Sequence, residues 1–203
     1  MMSARGATRV AYTPERLLAV AVEVFNQRGY DGTSMEDLAQ ATGITKSSIY
    51  HHVRGKEELL RLAVSRALDR IFAVLDQPGA RTGRAVDRLE HVVRGSARVL
   101  VDELPYVTLL LRVRGNTATE QWALERRREF DREVAALVAL AVADGDLDDA
   151  VEPRLATRLL FGMLNSAVEW YEPAHAGSAT DLGDAVWRLG FDGLRRRGPH
   201  GAA

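Results

Sequence analysis

No stretch of this chain alternates apolar and polar residues with period two over enough positions to make a strand. Apolar residues recur instead at three- and four-residue spacings between stops set by glycine and proline, as in helices with one buried stripe. Thr13-Pro14-Glu15 opens the first such segment. It supplies a capping hydroxyl, a proline where no helical amide is needed, and an acid near the positive end of the dipole. Leu17, Leu18, Ala21, Val24 and Phe25 then share one face, and Gly29 ends the run. Thr33-Ser34-Met35-Glu36 opens a short second helix that stops at Gly43. Thr45 caps a third, to about Val53; Gly55 breaks it, and Lys56 begins a long fourth helix that ends at Pro78-Gly79. Further helices are expected near 83–101, 105–114, 117–143, 152–171 and 179–197. The predicted fold class is all-α, with a loose arm over 1–12, a small helical domain over 13–55 and a larger one over 56–203.

Composition narrows the chemistry. The 203 residues include no cysteine, which removes disulfides, thiolate metal sites and cysteine nucleophiles. The longest charge-free apolar run, Val134 to Ala143, falls far short of the about 20 residues a membrane helix needs. Met-Met-Ser-Ala-Arg-Gly lacks a secretory apolar stretch, so a soluble cytoplasmic protein with no membrane partner is expected. Through Lys56 there are seven Lys/Arg against five Asp/Glu, and beyond it 20 against 23. A slightly positive end joined to an acidic body fits one part that meets a polyanion and another that does not. No phosphate-binding loop, nucleophile elbow, dinucleotide fingerprint or His-Glu-x-x-His is present, so no enzyme, cofactor or metal is expected. His91, His175 and His200 are scattered, and the adjacent His51 and His52 cannot converge as ligands on one helix face.

The segment from Ser34 to Val53 carries the most chemistry. Two short helices flank a tight turn, with Ala39 small at their closest approach, Gly43 at the turn, and Leu38, Ile44 and Ile49 as the seam. Its exposed side holds Thr45, Lys46, Ser47, Ser48, Tyr50 and His51, with no carboxylate among them. Such short donors, with a hydroxylated aromatic and a cation, suit phosphates and base edges. Thr33 and Ser34 stand at a helix N-terminus, where free amides favour a phosphate. Tyr50, His51 and Lys56 are further candidates for backbone phosphates, and Arg5 and Arg9 belong to the arm.

Residues 13 to 60 resemble the DNA-binding domain of TetR-family transcriptional regulators. The resemblance runs through Gly29-Tyr30-Asp31-Gly32-Thr33-Ser34-Met35-Glu36-Asp37-Leu38-Ala39 and Gly43-Ile44-Thr45-Lys46-Ser47-Ser48-Ile49-Tyr50-His51-His52. It closes with Lys56-Glu57-Glu58-Leu59-Leu60, and departs at Val53, where the family usually has phenylalanine. It implies that Thr45 to Ser48 enter the major groove of double-stranded DNA at a palindromic operator. It also implies a homodimer whose last two long helices form a four-helix interface. Candidates there are Ala156, Leu159, Leu160, Met163, Ala167, Ala185, Val186, Leu189 and Leu194.

The same resemblance implies an effector cavity among the middle helices. Its candidate lining is Leu104, Val107, Leu111, Trp122, Phe130, Phe161, Asn165 and Trp170; plain core packing is the competing reading, except that the Asn165 amide either orients a polar ligand group or ties two helices together. Phe161-Gly162-Met163-Leu164-Asn165 and Trp170-Tyr171-Glu172-Pro173 are similar to a segment in regulators of fatty-acid, sterol or aromatic-acid breakdown, several of which respond to acyl-CoA thioesters. Glu172 departs from that group, which often has a basic residue there. Arg112, Arg114 and Arg126-Arg127-Arg128 are alternative phosphate holders, or else a solvated face balanced by Glu125 and Glu129. The expected function is a repressor released from DNA by a small hydrophobic effector such as an acyl-CoA. The alternatives are a drug-responsive efflux regulator, for which acids such as Glu169 would matter, and a helical protein-interaction adaptor.

Overall fold

The computed structural model describes residues 13–172 and 177–194. The arm with Arg5 and Arg9, Pro173, His175, and everything past Leu194, His200 included, lie outside the described residues, as do the side chains after Phe191. Among the described residues every regular element is helical. In chain order they are α1 (Pro14–Arg28), α2 (Met35–Thr42), α3 (Lys46–Tyr50), α4 (Lys56–Leu75) and α5 (Pro78–Arg81). They continue with α6 (Ala85–Asp102), α7 (Leu104–Arg112), α8 (Ala118–Ala143), α9 (Pro153–Asn165), a 3-10 turn (Ser166–Glu169) and α10 (Ala179–Leu194). Two compact units divide at Leu62 and Ala63, inside α4.

Local chemistry explains the first unit. The Thr13 hydroxyl accepts the Arg16 amide, and Pro14 fills the first turn of α1. Gly29 leaves that helix at φ 80°, where a side chain would be strained. Ser34 and Asp37 form a reciprocal capping box on α2: the Asp37 amide donates to Ser34 Oγ and the Ser34 amide to Asp37 Oδ2. Gly43, at φ 69°, ends α2 in the left-handed conformation, and its amide donates to Ala39 and Gln40. Leu17, Val22, Phe25, Leu38, Ile49, Val53, Leu59 and Leu60 are buried. Each such side chain contributes about 1.5–3 kcal/mol relative to exposure. Val53 therefore still fills a core position, and Ile44 is only half-buried.

The second unit is a helical bundle in which α6 packs on α10, α8 and α5, and α9 packs on α8 and α10. Two buried carboxylates fasten its joints. Glu103, between α6 and α7, takes Arg66 through two bonds of 2.6 and 3.0 Å and lies 3.4 Å from Arg70. The Arg66 guanidinium also stacks 4.3 Å above the Tyr106 ring. Glu120 accepts the amides of Arg114, Asn116 and Thr117 at 3.0, 2.8 and 3.0 Å, fixing the turn into α8. A buried carboxylate left without such donors would be costly.

The structure departs from the expected boundaries where proline and glycine are ambiguous. Pro78 begins α5 rather than closing an element, because proline fits a first helical turn. The helix expected over 152–171 tightens into the 3-10 turn after Asn165. Gly95 of α6 marks a close approach: a Cβ there would enter the van der Waals shell of Val74 Cγ1. Alanine is favoured over glycine in a helix by about 1 kcal/mol, but overpacking against a stiff β-branched side chain costs about 1–3 kcal/mol. Gly95→Ala is therefore expected to lower the thermal midpoint; calorimetry showing a gain would mean that α4 and α6 separate without cost.

Candidate nucleic-acid interface and interior cavity

α3 presents a polar face. Thr45, Lys46, Ser47, Tyr50 and His51 are exposed, Tyr50 to 48%, while Ser48 is half-buried and Ile49 points into the core. Thr45 caps the helix by accepting the Ser48 amide at 3.2 Å, and its hydroxyl meets Ser48 Oγ at 2.8 Å. Lys46 Nζ pairs with the Glu36 carboxylate of α2. That bond holds Glu36 below its ordinary range and Lys46 above its own. The exposed groups are hydroxyls, an imidazole and an ammonium, which suit phosphate oxygens and the major-groove edges of bases.

Three residues expected to meet phosphates from outside α3 have bonds inside the fold. Thr33 is only 2% exposed, and its hydroxyl donates to the Gly29 carbonyl at 2.7 Å. The Ser34 hydroxyl donates to Asp37 Oδ2 at 2.6 Å, and Arg28 holds the other Asp37 oxygen at 2.6 Å. The Ser34 bonds keep the Asp37 carboxyl below its usual range, so the α2 N-terminus already holds an anion. Lys56 Nζ donates to the Tyr30 and Thr33 carbonyls at 3.0 Å each, lies 3.5 Å from that of Asp31, and sits 4.5 Å above the Tyr30 ring. It ties the loop before α2 to the start of α4.

Within the second unit lies a cavity of about 230 Å³. Val107, Leu111, Phe130, Phe161 and Asn165 line it as expected; Leu104, Trp122 and Trp170 do not. Leu104 packs into the core instead, Trp122 is half-buried, and Trp170 is exposed with its indole 3.4 Å from Ser166 Oγ. Phe130 meets Phe161 edge-to-face at 5.4 Å and Phe72 at 5.8 Å. Sequence periodicity did not separate cavity from core, so Leu68, Ile71, Leu100 and Leu110 went unmarked as lining. Asn165 brings an amide side chain with no protein partner among the described residues.

Charge enters this cavity at Arg127, Asp131 and Arg158. Burial pulls the half-buried Arg127 guanidinium below its ordinary value, against the attraction of Asp131. Loss of water raises Asp131 above the usual carboxylate range, although Arg127 and Arg158 pull it down. A second basin, of about 350 Å³, is lined by Arg128, Asp131, Arg132, Arg154 and Arg158, so it shares Asp131 and Arg158 with the first. Of the arginines marked in the sequence, Arg112 reaches Glu169 at 3.4 Å, and Arg126 pairs with Glu129 and stacks 4.0 Å above Phe72. Arg114 lines neither space. Arg154 and Arg158 were missed, yet they stand four residues apart on α9, as Arg128 and Arg132 do on α8. Two such pairs on consecutive helices were the available signal. Among the described residues no cluster of metal-ligating side chains is present, and no helix is long and apolar enough to cross a membrane.

Residues 17–63 match the family model described as bacterial regulatory proteins, tetR family, and residues 82–194 match that of the tetracyclin repressor-like C-terminal domain. The chain is 27% identical over 181 residues to the HTH-type transcriptional repressor KstR2 of Rhodococcus jostii, covering 88% of this chain and 89% of the relative. A solved member of the TetR transcriptional regulator family from Streptomyces coelicolor A3 is 66% identical. It superposes with a TM-score of 0.85 over 92% of this chain and 94% of its own. The structure of AibR, solved in complex with isovaleryl coenzyme A and operator DNA, is 23% identical, with a TM-score of 0.74 over 88% of this chain and 97% of its own.

The frame role of Lys56 separates stability from recognition. Lys56→Met removes a charged donor shared by three carbonyls, a loss of about 2 kcal/mol. Hydrogen exchange over residues 30–60 is expected to speed up accordingly; unchanged protection would return Lys56 to the exposed face.

Proposed function

Because the chain belongs to the TetR family of DNA-binding transcriptional regulators, we propose that it is a repressor released from a palindromic operator by a small acyl-CoA thioester. In this reading residues 13–55 read DNA, and residues 56–203 bind the effector and dimerise. The exposed polar face of α3, seated on the buried Ile49, supports the first part. A helix of this length reads few base pairs, so two copies about 34–36 Å apart, one DNA turn, are required. Leu159 and Leu189 support a dimer through α9 and α10: they are 58% and 73% exposed, with Met163 beside them in the expected set. Ala156, Leu160, Ala167 and Val186 are buried within the protomer and contribute shape rather than contact.

The observation that carries the effector class is an apolar cavity whose charged mouth opens on an arginine-lined basin. At about 230 Å³ the cavity is smaller than the about 300–1,000 Å³ usual for drug-sized ligands. It suits a modest acyl group, with Asn165 and Arg127 near its polar end. Arg128, Arg132, Arg154 and Arg158 then take the phosphates of the nucleotide portion, in place of the Arg112, Arg114 and Arg126 considered from sequence. The drug-responsive alternative is less well served. Glu169 lies on the surface beside Arg112, and Asp131 stands between two arginines, a poor seat for a cation. AibR, of the same fold, binds isovaleryl coenzyme A.

Effector binding releases DNA only to the extent that the ligand prefers the conformer with altered half-site spacing. Titration calorimetry with isovaleryl-CoA, the free acid and a pantetheine thioester tests the class. Tight binding of the free acid alone, or of none of the three, would remove the proposal. Arg158→Met is expected to weaken acyl-CoA binding by about tenfold to a hundredfold, the value of a charged hydrogen-bond partner, while leaving the pantetheine thioester nearly unaffected. Tyr50→Ala is expected to weaken operator binding about tenfold in gel shifts, with the thermal midpoint and dimer mass unchanged; full affinity would relocate the reading surface.

A further inference from the structure

The proposed DNA reader carries its own carboxylates at points receptive to anions. Asp37 occupies the α2 N-terminus and bonds Arg28, and Glu58 accepts the Arg54 amide at 2.6 Å ahead of α4. Both have work to do in the fold: one caps a helix and ties it to α1, and the other fixes a turn. Glu36 differs. It is exposed, it is not part of the Ser34–Asp37 capping box, and its side-chain partner is Lys46. Lys46 in turn is the only lysine or arginine on α3. The cation that α3 would offer to DNA is thus paired with a carboxylate on the neighbouring helix that lies outside its capping box.

We propose that Glu36 is a specificity-determining residue: by holding Lys46 in an ion pair it withholds that charge from backbone phosphates and suppresses binding to non-operator DNA. The inference rests on the reading above that α3 enters the groove. Non-operator complexes are held almost wholly by phosphate contacts, whereas base contacts set the sequence preference. For Lys46 to reach a phosphate it must leave Glu36, whose carboxylate then faces a polyanion. That penalty falls on complexes held by phosphate contacts alone. The operator complex seats α3 through Thr45, Ser47 and Tyr50, which Glu36 does not touch, so it depends less on freeing Lys46. Exposed ion pairs are weak, so the pair is a modest tax on each random encounter.

The test uses the full chain and two duplexes of equal length, one enriched by the protein from a random-sequence pool and one of scrambled sequence. Fluorescence anisotropy across a salt series gives affinity and slope for each. Glu36→Gln is expected to bind the scrambled duplex up to about fivefold more tightly at low salt. Its slope of log K against log salt should steepen by about 0.9, one additional phosphate contact. Operator affinity should rise less, so the discrimination ratio falls. In a Lys46→Gln background the same substitution should change neither quantity. An unchanged slope and scrambled-duplex affinity in Glu36→Gln would overturn the inference. So would an equal gain on both duplexes, or an undiminished effect in the Lys46→Gln protein. Failure of the unaltered protein to enrich or bind any duplex would instead overturn the DNA reading itself.

Discussion

A helix of five residues closes too few hydrogen bonds to offset the ordering of its own backbone. α3 is such a helix, and it persists because the rest of the first unit imposes it. Ile49 is sealed into the core beside Leu38, Thr45 caps the first turn, and Gly43 supplies the left-handed step that brings α3 across α2. The consequence for recognition is rigidity. With one face pinned by Ile49 and the N-terminus pinned by Thr45, Ser47 and Tyr50 project from a backbone that does not need to order when it meets a ligand. The entropy of forming the helix has been lost on folding rather than on binding.

The electrostatics of the same unit are more economical than its composition suggests. Of its cations, Lys56 is spent on carbonyls, Arg28 on Asp37 and Lys46 on Glu36. Each of these commitments lowers the counterion-release energy available from that cation below what the charge count implies. In the proposed reading, pairing two readers and polar contacts to bases then carry a larger share of the affinity. Both demand a matched site. The near neutrality of the whole chain belongs to the same design, because a strongly basic regulator binds the bulk of the genome before its target.

The all-helical class, the capped starts at Thr13, Ser34 and Thr45, and the stops at Gly29 and Gly43 were legible in sequence because each depends on neighbours within four residues. The exposed polar side of α3 was legible for the same reason. The position of Lys56 was not, since its partners are carbonyls 23 to 26 residues away that carry no sequence signature. The inward bond of Thr33 was not legible, because a hydroxyl at a helix N-terminus suits a phosphate and a nearby carbonyl equally well. The cavity was half legible. Phe130 and Phe161 are apolar residues on predicted helices, but whether an apolar residue meets a void or another side chain is settled by how α4, α6, α7, α8 and α9 converge. Trp170 looked interior by type and is exposed, because the chain tightens into a 3-10 turn just before it.

The cavity also constrains how the proposed release would work. Its wall includes Ala67, Leu68 and Ile71, all from α4, the helix whose earlier residues Leu59 and Leu60 are buried in the first unit. On the other flank Val107, Leu110 and Leu111 belong to α7, which the buried Glu103 ties to Arg66 and Arg70 of α4. A ligand seated there touches both sides of that joint. To turn a population from 1:99 to 99:1 it must favour one arrangement by about 5.5 kcal/mol. A small acyl group alone supplies little differential contact in so confined a space. The arginine basin supplies more, because phosphates that bridge Arg128 and Arg132 on α8 with Arg154 and Arg158 on α9 are satisfied in only one relative placement of those helices. In the proposed mechanism the acyl group therefore selects the ligand, and the polyanion provides most of the free energy that shifts the protein.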